Sequence, residues 1–260
     1  RRSEPGIISS QVSAMQSAMK SFQRPHVGIW MVVFIAVFAG LLATSWGYTY
    51  GTGNQVEQLP IVLRSLDPTY LTNDFFVNVS SQYSPRLNFA NFVAFLAGYF
   101  PLPFVYYGLT LLSNVLIALI SGFFARELFD RSNVAAMVAV VLVMSIKTFW
   151  LGNSNIIFGT YLEPSHLVMP LLLLAIWSGI KLRPLVTALA AGFASLLHPL
   201  VGLEMGGIML GVIFIQVLLR APYPVFFRNK RWYLLFVLVS GLVFGGFAAV
   251  ALLPYAHEGQ

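Results

Sequence analysis

Apolar residues run along this chain in long stretches, and polar ones gather between them. A membrane-spanning helix needs about 20 mostly apolar residues. Seven stretches approach that requirement: residues 27–46, 104–124, 134–149, 166–180, 185–197, 203–219 and 232–253. The third is short. The fifth is too short to span alone and stops at His198-Pro199. An eighth apolar stretch, 89–100, precedes Pro101-Leu102-Pro103 and at 12 residues reads as a re-entrant or interfacial helix. The pattern predicts an all-α fold: a polytopic transmembrane helical bundle of about seven spans, with a long outer first loop carrying interfacial helices. Residues 1–26 stand apart from it. There Ile7, Ile8, Val12, Met15, Met19 and Phe22 recur at helical spacing among Ser and Gln. That reads as a weakly amphipathic cytoplasmic segment lying on the membrane, or as a plain tail before the first span. It is not a signal peptide, because the apolar run starts too late and no small-residue cleavage site follows. Residues 27–260 read as one transmembrane domain, with the outer loop at 47–103.

Composition supports a membrane setting. The chain is 58% hydrophobic and only 9% charged, against about 45–50% and about 25% in soluble domains. Fifteen Lys/Arg and nine Asp/Glu among 260 residues leave too little polar surface for a soluble globule. With no cysteine, disulfides, thiolate metal sites and a Cys nucleophile are excluded. The net charge of +6 could suggest nucleic acid, but its distribution argues otherwise. With the N-terminus in the cytoplasm, 12 of the 15 basic residues fall in cytoplasmic segments, leaving Arg64, Arg86 and Lys147 outside. This is the positive-inside pattern of an integral protein of the inner cell membrane. The acids go the other way. Glu4, Glu127 and Asp130 are inside, while Glu57, Asp67, Asp74, Glu163, Glu204 and Glu258 are outside. The +6 is therefore a topology signal, and no nucleic-acid partner is expected. The basic loop 222–231 suits anionic lipid headgroups.

The outer loop is where the polar chemistry concentrates. Gly51, Gly53 and Asn54 make a turn after the first span, and Val56, Leu59, Val62, Leu63 and Leu66 then fall at helical spacing. Pro60 suits the first turn of that helix and Asp67-Pro68 its end. Asn73-Asp74 with Phe75 and Phe76 could dock the rest of the loop on the membrane. Glu57 follows the glycine turn, close to where the span leaves the bilayer, where a carboxylate could serve as general base or metal ligand. Asp74 and Asp67 are the next candidates. Both also read as turn-forming and capping acids.

Other polar groups reach the same side. Glu163 and His166 are three apart, so on a helix they would share a face and could hold a metal or form an acid/base couple. The same residues suit a helix start, with Pro164 in the first turn. His198 and Glu204 flank the Pro199 break, and broken helices at membrane depth line cavities. Lys147, Arg64 and Arg86 could meet a phosphate, or snorkel. Tyr48, Tyr50, Tyr106, Tyr107, Trp46 and Trp150 read as interface-belt aromatics. Asn78-Val79-Ser80 is a weak glycosylation sequon.

Gly51-Thr52-Gly53-Asn54-Gln55-Val56-Glu57-Gln58-Leu59-Pro60, Leu66-Asp67-Pro68-Thr69-Tyr70, Asn73-Asp74-Phe75-Phe76 and His198-Pro199-Leu200-Val201-Gly202-Leu203-Glu204 resemble segments of an uncharacterised bacterial family of GT-C-like membrane proteins. The organisation as a whole resembles the GT-C superfamily of membrane glycosyltransferases. The resemblance implies a sugar taken from a polyprenyl-phosphate carrier at the outer face, with a first-loop carboxylate as base or as ligand of a divalent metal (Mg or Mn). Two GT-C features are missing: the adjacent acidic pair and the soluble domain after the last span. Three functions follow as expectations. The first is a glycosyltransferase using Glu57, Asp74 or Asp67 as base, Lys147, Arg64 or Arg86 for the phosphate, and His198 and Glu204 for substrate. The second is a non-catalytic accessory subunit packing against other membrane proteins. The third is a transporter, which the broken fifth helix would suit. In each case membrane lipids surround the chain.

Overall fold

The structure is a computed structural model, and it describes residues 28–145, 161–219 and 229–253. The N-terminal segment 1–26, Lys147, Trp150, Glu258 and most of the basic loop 222–231 lie outside the described residues. Within them all regular structure is helical. In chain order the helices are α1 (Ile29–Gly47), α2 (Gln55–Leu66), α3 (Phe75–Tyr83), α4 (Leu87–Ala97), α5 (Leu102–Leu128), α6 (Asn133–Ser145), α7 (Pro164–Ile180), α8 (Pro184–Leu197), α9 (Pro199–Leu218) and α10 (Lys230–Leu252). Among the described residues four of them, α1, α5, α9 and α10, are long and apolar enough to cross a membrane. The stretches expected as spans three, four and five appear as shorter apolar helices, α6, α7 and α8, of 13, 17 and 14 residues.

Proline sets several helix starts. Pro164, Pro184 and Pro199 each open a helix, where the missing N–H costs nothing and the fixed φ is already helical. α10 starts differently: the Asn229 side chain accepts from the Trp232 N–H, a conventional N-cap. α2 begins at Gln55, one residue before the apolar spacing that starts at Val56. Gly51 and Gly53 both adopt positive φ, and the Gln55 side chain accepts the Gly51 N–H at 2.7 Å, which closes the turn. Pro60 therefore lies inside α2 rather than in its first turn.

Two helix groups make the bundle. α1, α5 and α6 pack together, α8 sits among α7, α9 and α10, and α5 against α7 joins the groups. The large apolar side chains left on the outside, among them Phe34, Phe38, Leu238 and Leu242, lie on helices long and apolar enough to cross a membrane and suit a hydrocarbon solvent. Small residues allow the tightest approach at α8 and α9. A Cβ on Gly202 would lie 2.2 Å from the Ser195 backbone nitrogen. Residues 48–101, between α1 and α5, fold as the short helices α2–α4 over one end of the bundle, α4 packing on α5 and α8. Ile61, Val62, Phe89, Val93 and Tyr106 form the core beneath that layer.

A buried polar chain ties the two groups together. Thr44 of α1 donates to the Gly40 carbonyl at 2.8 Å, so its oxygen is left to accept from Asn114 Nδ2 of α5, also at 2.8 Å. Asn114 Oδ1 then faces His166 Nε2 of α7 at 2.8 Å. The direction of this chain requires the hydrogen of His166 on Nε2. Asn114→Leu keeps the volume but leaves that N–H without its acceptor. An unsatisfied buried donor costs about 1–3 kcal/mol, and side-chain hydrogen bonds in membrane bundles are worth about 0.6–1.7 kcal/mol. The variant should lose about 1–2 kcal/mol of stability to denaturant in detergent micelles. Unchanged stability would mean that the chain is not formed.

Candidate functional site

The charges sort to the two ends of the bundle. Among the described residues, the end carrying α2–α4 holds five acids (Glu57, Asp67, Asp74, Glu163, Glu204) and two cations, Arg64 and Arg86. The opposite end holds Arg126, Arg131, Lys181, Arg183, Lys230 and Arg231 against Glu127 and Asp130. Lys181 is paired with Glu127 there, joining the ends of α5 and α7.

Four separate segments meet at the acidic end. The first is the start of α2, where Glu57 lies in the first turn. Its carboxylate bonds Arg86 Nη1 at 2.7 Å, and Arg86 stands at the start of α4, the second segment. The third is the start of α7. Glu163 occupies the position before Pro164, with an extended backbone. Its Oε1 accepts from Asn54 Nδ2 at 2.9 Å and its Oε2 from the Ser165 hydroxyl at 3.1 Å. The fourth is the α8–α9 junction, where His198 ends one helix and begins the next. The charges acting on His198 are those of Arg86, Glu163 and Glu204, so it lies within electrostatic reach of all three. His198 Nδ1 is buried and, among the described residues, meets no partner beyond its own backbone.

The first loop and the α7 start are clasped together. Gln55 Nε2 donates to the Leu162 carbonyl at 3.2 Å. Gly53 lies under the Tyr161 ring, with φ +58, and a Cβ there would come within 2.5 Å of it. Both space and backbone conformation therefore require glycine. Burial, then the Glu163 carboxylate, hold the Tyr161 phenol above its usual pKa range.

The other carboxylates of the loop are engaged locally. Asp67 Oδ1 accepts from the Thr69 N–H at 2.8 Å and the Thr69 hydroxyl at 2.6 Å, and these bonds hold its pKa below the ordinary carboxylate range. Asp74 caps α3, accepting from the Val77 N–H at 2.9 Å. Arg64 donates to the Tyr70 carbonyl at 2.7 Å and to Asn78 Oδ1 at 3.2 Å. Ten residues of α2 separate Asp67 from Glu57, about 15 Å along the helix. Asp67, Asp74 and Arg64 thus stay with the far end of α2. Glu57 pairs with Arg86, and His198 lies within electrostatic reach of Arg86, Glu163 and Glu204.

Glu163 and His166 have different surroundings, because Pro164 starts the helix after Glu163. The carboxylate reaches outward to Asn54, and His166 points inward to Asn114. Among the described residues no group of three or more His, Asp or Glu side chains is placed to hold a metal ion. The sequence pattern gives Asn54 only a turn role and assigns none to Gln55, Thr44 or Asn114. Nor does it assign one to Gln58, which is fully buried on α2 with neither amide atom bonded among the described residues. The usable signal is an amide or hydroxyl inside an apolar run, since such groups are seldom left unpaired.

Comparison with family models, with curated proteins and with solved structures returned no match.

Proposed function

We propose that this chain is a GT-C-like glycosyltransferase working at the outer membrane face, with a polyprenyl-phosphate-linked sugar as donor. The observation that carries this reading is the Glu57–Arg86 pair at the acidic end of an apolar bundle, with His198 within electrostatic reach of Arg86 and Glu163. The basic opposite end supports a cytoplasmic assignment for that side, in the inner membrane and with the N-terminus inside.

Each group has a role in sugar transfer. The bond from sugar to phosphate breaks, and the departing phosphate must be stabilised by positive charge. Among the described residues Arg86 is the cation beside Glu57, and its guanidinium matches phosphate oxygens in a two-point fork. Its pairing with Glu57 is partly exposed, with side chains 34% and 56% accessible. Such pairs are worth about 0–1 kcal/mol, so Arg86 can turn to a phosphate at small cost. That exchange frees Glu57 to accept the proton of the acceptor hydroxyl. Glu163 and His198 stand beside them for the sugar or as a second proton acceptor.

A second reading, a non-catalytic subunit of a larger membrane complex, draws support from the engagement of Glu57 and Glu163 by protein partners. The assay that separates the two is sugar transfer from a polyprenyl-phosphate donor by the full chain in lipid vesicles. Transfer that depends on Arg86 and Glu57 supports the enzyme. Its absence with every donor tried, together with a stoichiometric set of partner chains in the native membrane, supports the subunit.

A further inference from the structure

We propose that residues 67–79 form a rigid apolar knuckle that seats the α2–α4 layer in the bilayer surface, with Leu71, Phe75, Phe76 and Val79 entering the headgroup–acyl boundary. This inference is independent of the transferase reading. The backbone between α2 and α3 is held by a dense set of side-chain bonds. Asp67 binds Thr69, Arg64 spans Tyr70 and Asn78, Asn78 Nδ2 donates to the Thr72 carbonyl at 2.7 Å, and Asp74 caps α3. The side chains of Asp67, Thr69, Asp74 and Asn78 are all engaged within the frame. The frame in turn displays apolar groups. Leu71 is exposed and sits at φ +49, a left-handed conformation that a leucine adopts only under constraint. Phe75 is 82% exposed, and Phe76 and Val79 are also exposed. Phe75 and Val79 lie four apart on α3 and share a face.

The occupant of this face is lipid, for three reasons. The layer joins the end of α1 to the start of α5, and both helices are long and apolar enough to cross a membrane. The knuckle therefore stands at the level where two spans leave the bilayer. Exposed aromatics continue from it through α4 to that corner, at Phe95, Tyr99, Phe100 and Phe104, and rings of this kind favour the membrane interface. From Pro68 to Tyr83 the only charged residue is Asp74, which is committed to its cap. A protein-facing patch carries a polar rim. An uncharged helix with phenylalanine on its outer face instead suits the boundary, about 5–10 Å into the leaflet.

The chain has no cysteine, so a single replacement gives a single labelling site. The test places a nitroxide at Phe75→Cys and, separately, at Val79→Cys in the full chain, reconstituted in vesicles of phosphatidylcholine and phosphatidylglycerol. Both residues are exposed, so neither change disturbs the core. Relaxation by oxygen, which concentrates in hydrocarbon, is compared with relaxation by a water-soluble nickel chelate. Leu242→Cys on α10 gives the lipid standard and Arg183→Cys the water standard. Oxygen should dominate at both knuckle positions, at least several-fold over the Arg183 standard. Dominance of the nickel chelate would place the knuckle in water and overturn the proposal. Protection from both reagents would mean that a second copy of the chain covers it, which overturns it equally.

Discussion

Among the described glycines, Gly202→Ala is expected to be the most destabilising single methyl addition. Gly202 lies in the first turns of α9, just after the His198-Pro199 break, where α8 and α9 fold back on each other. A Cβ there would stand 2.2 Å from the Ser195 nitrogen, 2.4 Å from its Cα and 2.6 Å from the Ala194 carbonyl carbon. All three are backbone atoms, so no rotamer change relieves the clash and one helix must move off the other. Overpacking typically costs about 1–3 kcal/mol, and a clash with backbone belongs at the top of that range. For a chain of this size about 3 kcal/mol corresponds to a Tm lower by roughly 6–12 °C. Gly207 and Gly211 lie on the same helix, where an added methyl would meet nothing within 4 Å, so alanine there should raise Tm, by about 1–4 °C, rather than lower it. A wild-type Tm for Gly202→Ala would show that α8 and α9 do not approach so closely. The consequence reaches the site, because the same contact fixes where His198 and Glu204 stand relative to Arg86.

Arg86→Ala is expected to leave the fold intact and remove sugar transfer. The Glu57–Arg86 pair contributes at most about 1 kcal/mol as a surface ion pair, so Tm should change little. If Arg86 meets the phosphate as charge develops on it, losing that contact should lower kcat by about 10²–10³. The loss should fall on kcat rather than on KM alone, since the interaction strengthens towards the transition state. Arg86→Lys keeps the charge but not the fork, and should recover part of the rate. Glu57→Gln should abolish transfer as well, while leaving assembly unchanged. An active Arg86→Ala or Glu57→Gln variant would remove that residue from the proposed chemistry.

Much of the scaffold is legible in the pattern of the sequence. The helix over Val56–Leu66, the short apolar helix before Pro101 and the break at His198-Pro199 are all present. Local chemistry is legible too, since Asp67 before Pro68 and Asp74 before Phe75 do make a turn and a cap. Spacing rules mislead where a helix boundary moves. The i, i+3 rule for Glu163 and His166 requires both residues in the helix, and Pro164 leaves Glu163 outside it. The contacts that assemble the site are not legible. Asn54 and Glu163 are 109 residues apart and Asn114 and His166 are 52 apart, and no periodicity within either segment names its partner. Asn114 is hidden in a further way, because one amide in a long apolar helix barely changes that helix's hydropathy.

The meeting of the first loop with the start of α7 is the joint on which the site depends, and cross-linking tests it most directly. Asn54→Cys combined with Glu163→Cys in the otherwise cysteine-free chain, treated in native membranes with a short bifunctional thiol reagent, should give one intramolecular product in high yield. The pair Asn54→Cys and Arg183→Cys, at opposite ends of the bundle, should give none. Failure of the first pair to cross-link while both thiols label freely would contradict the assembled site.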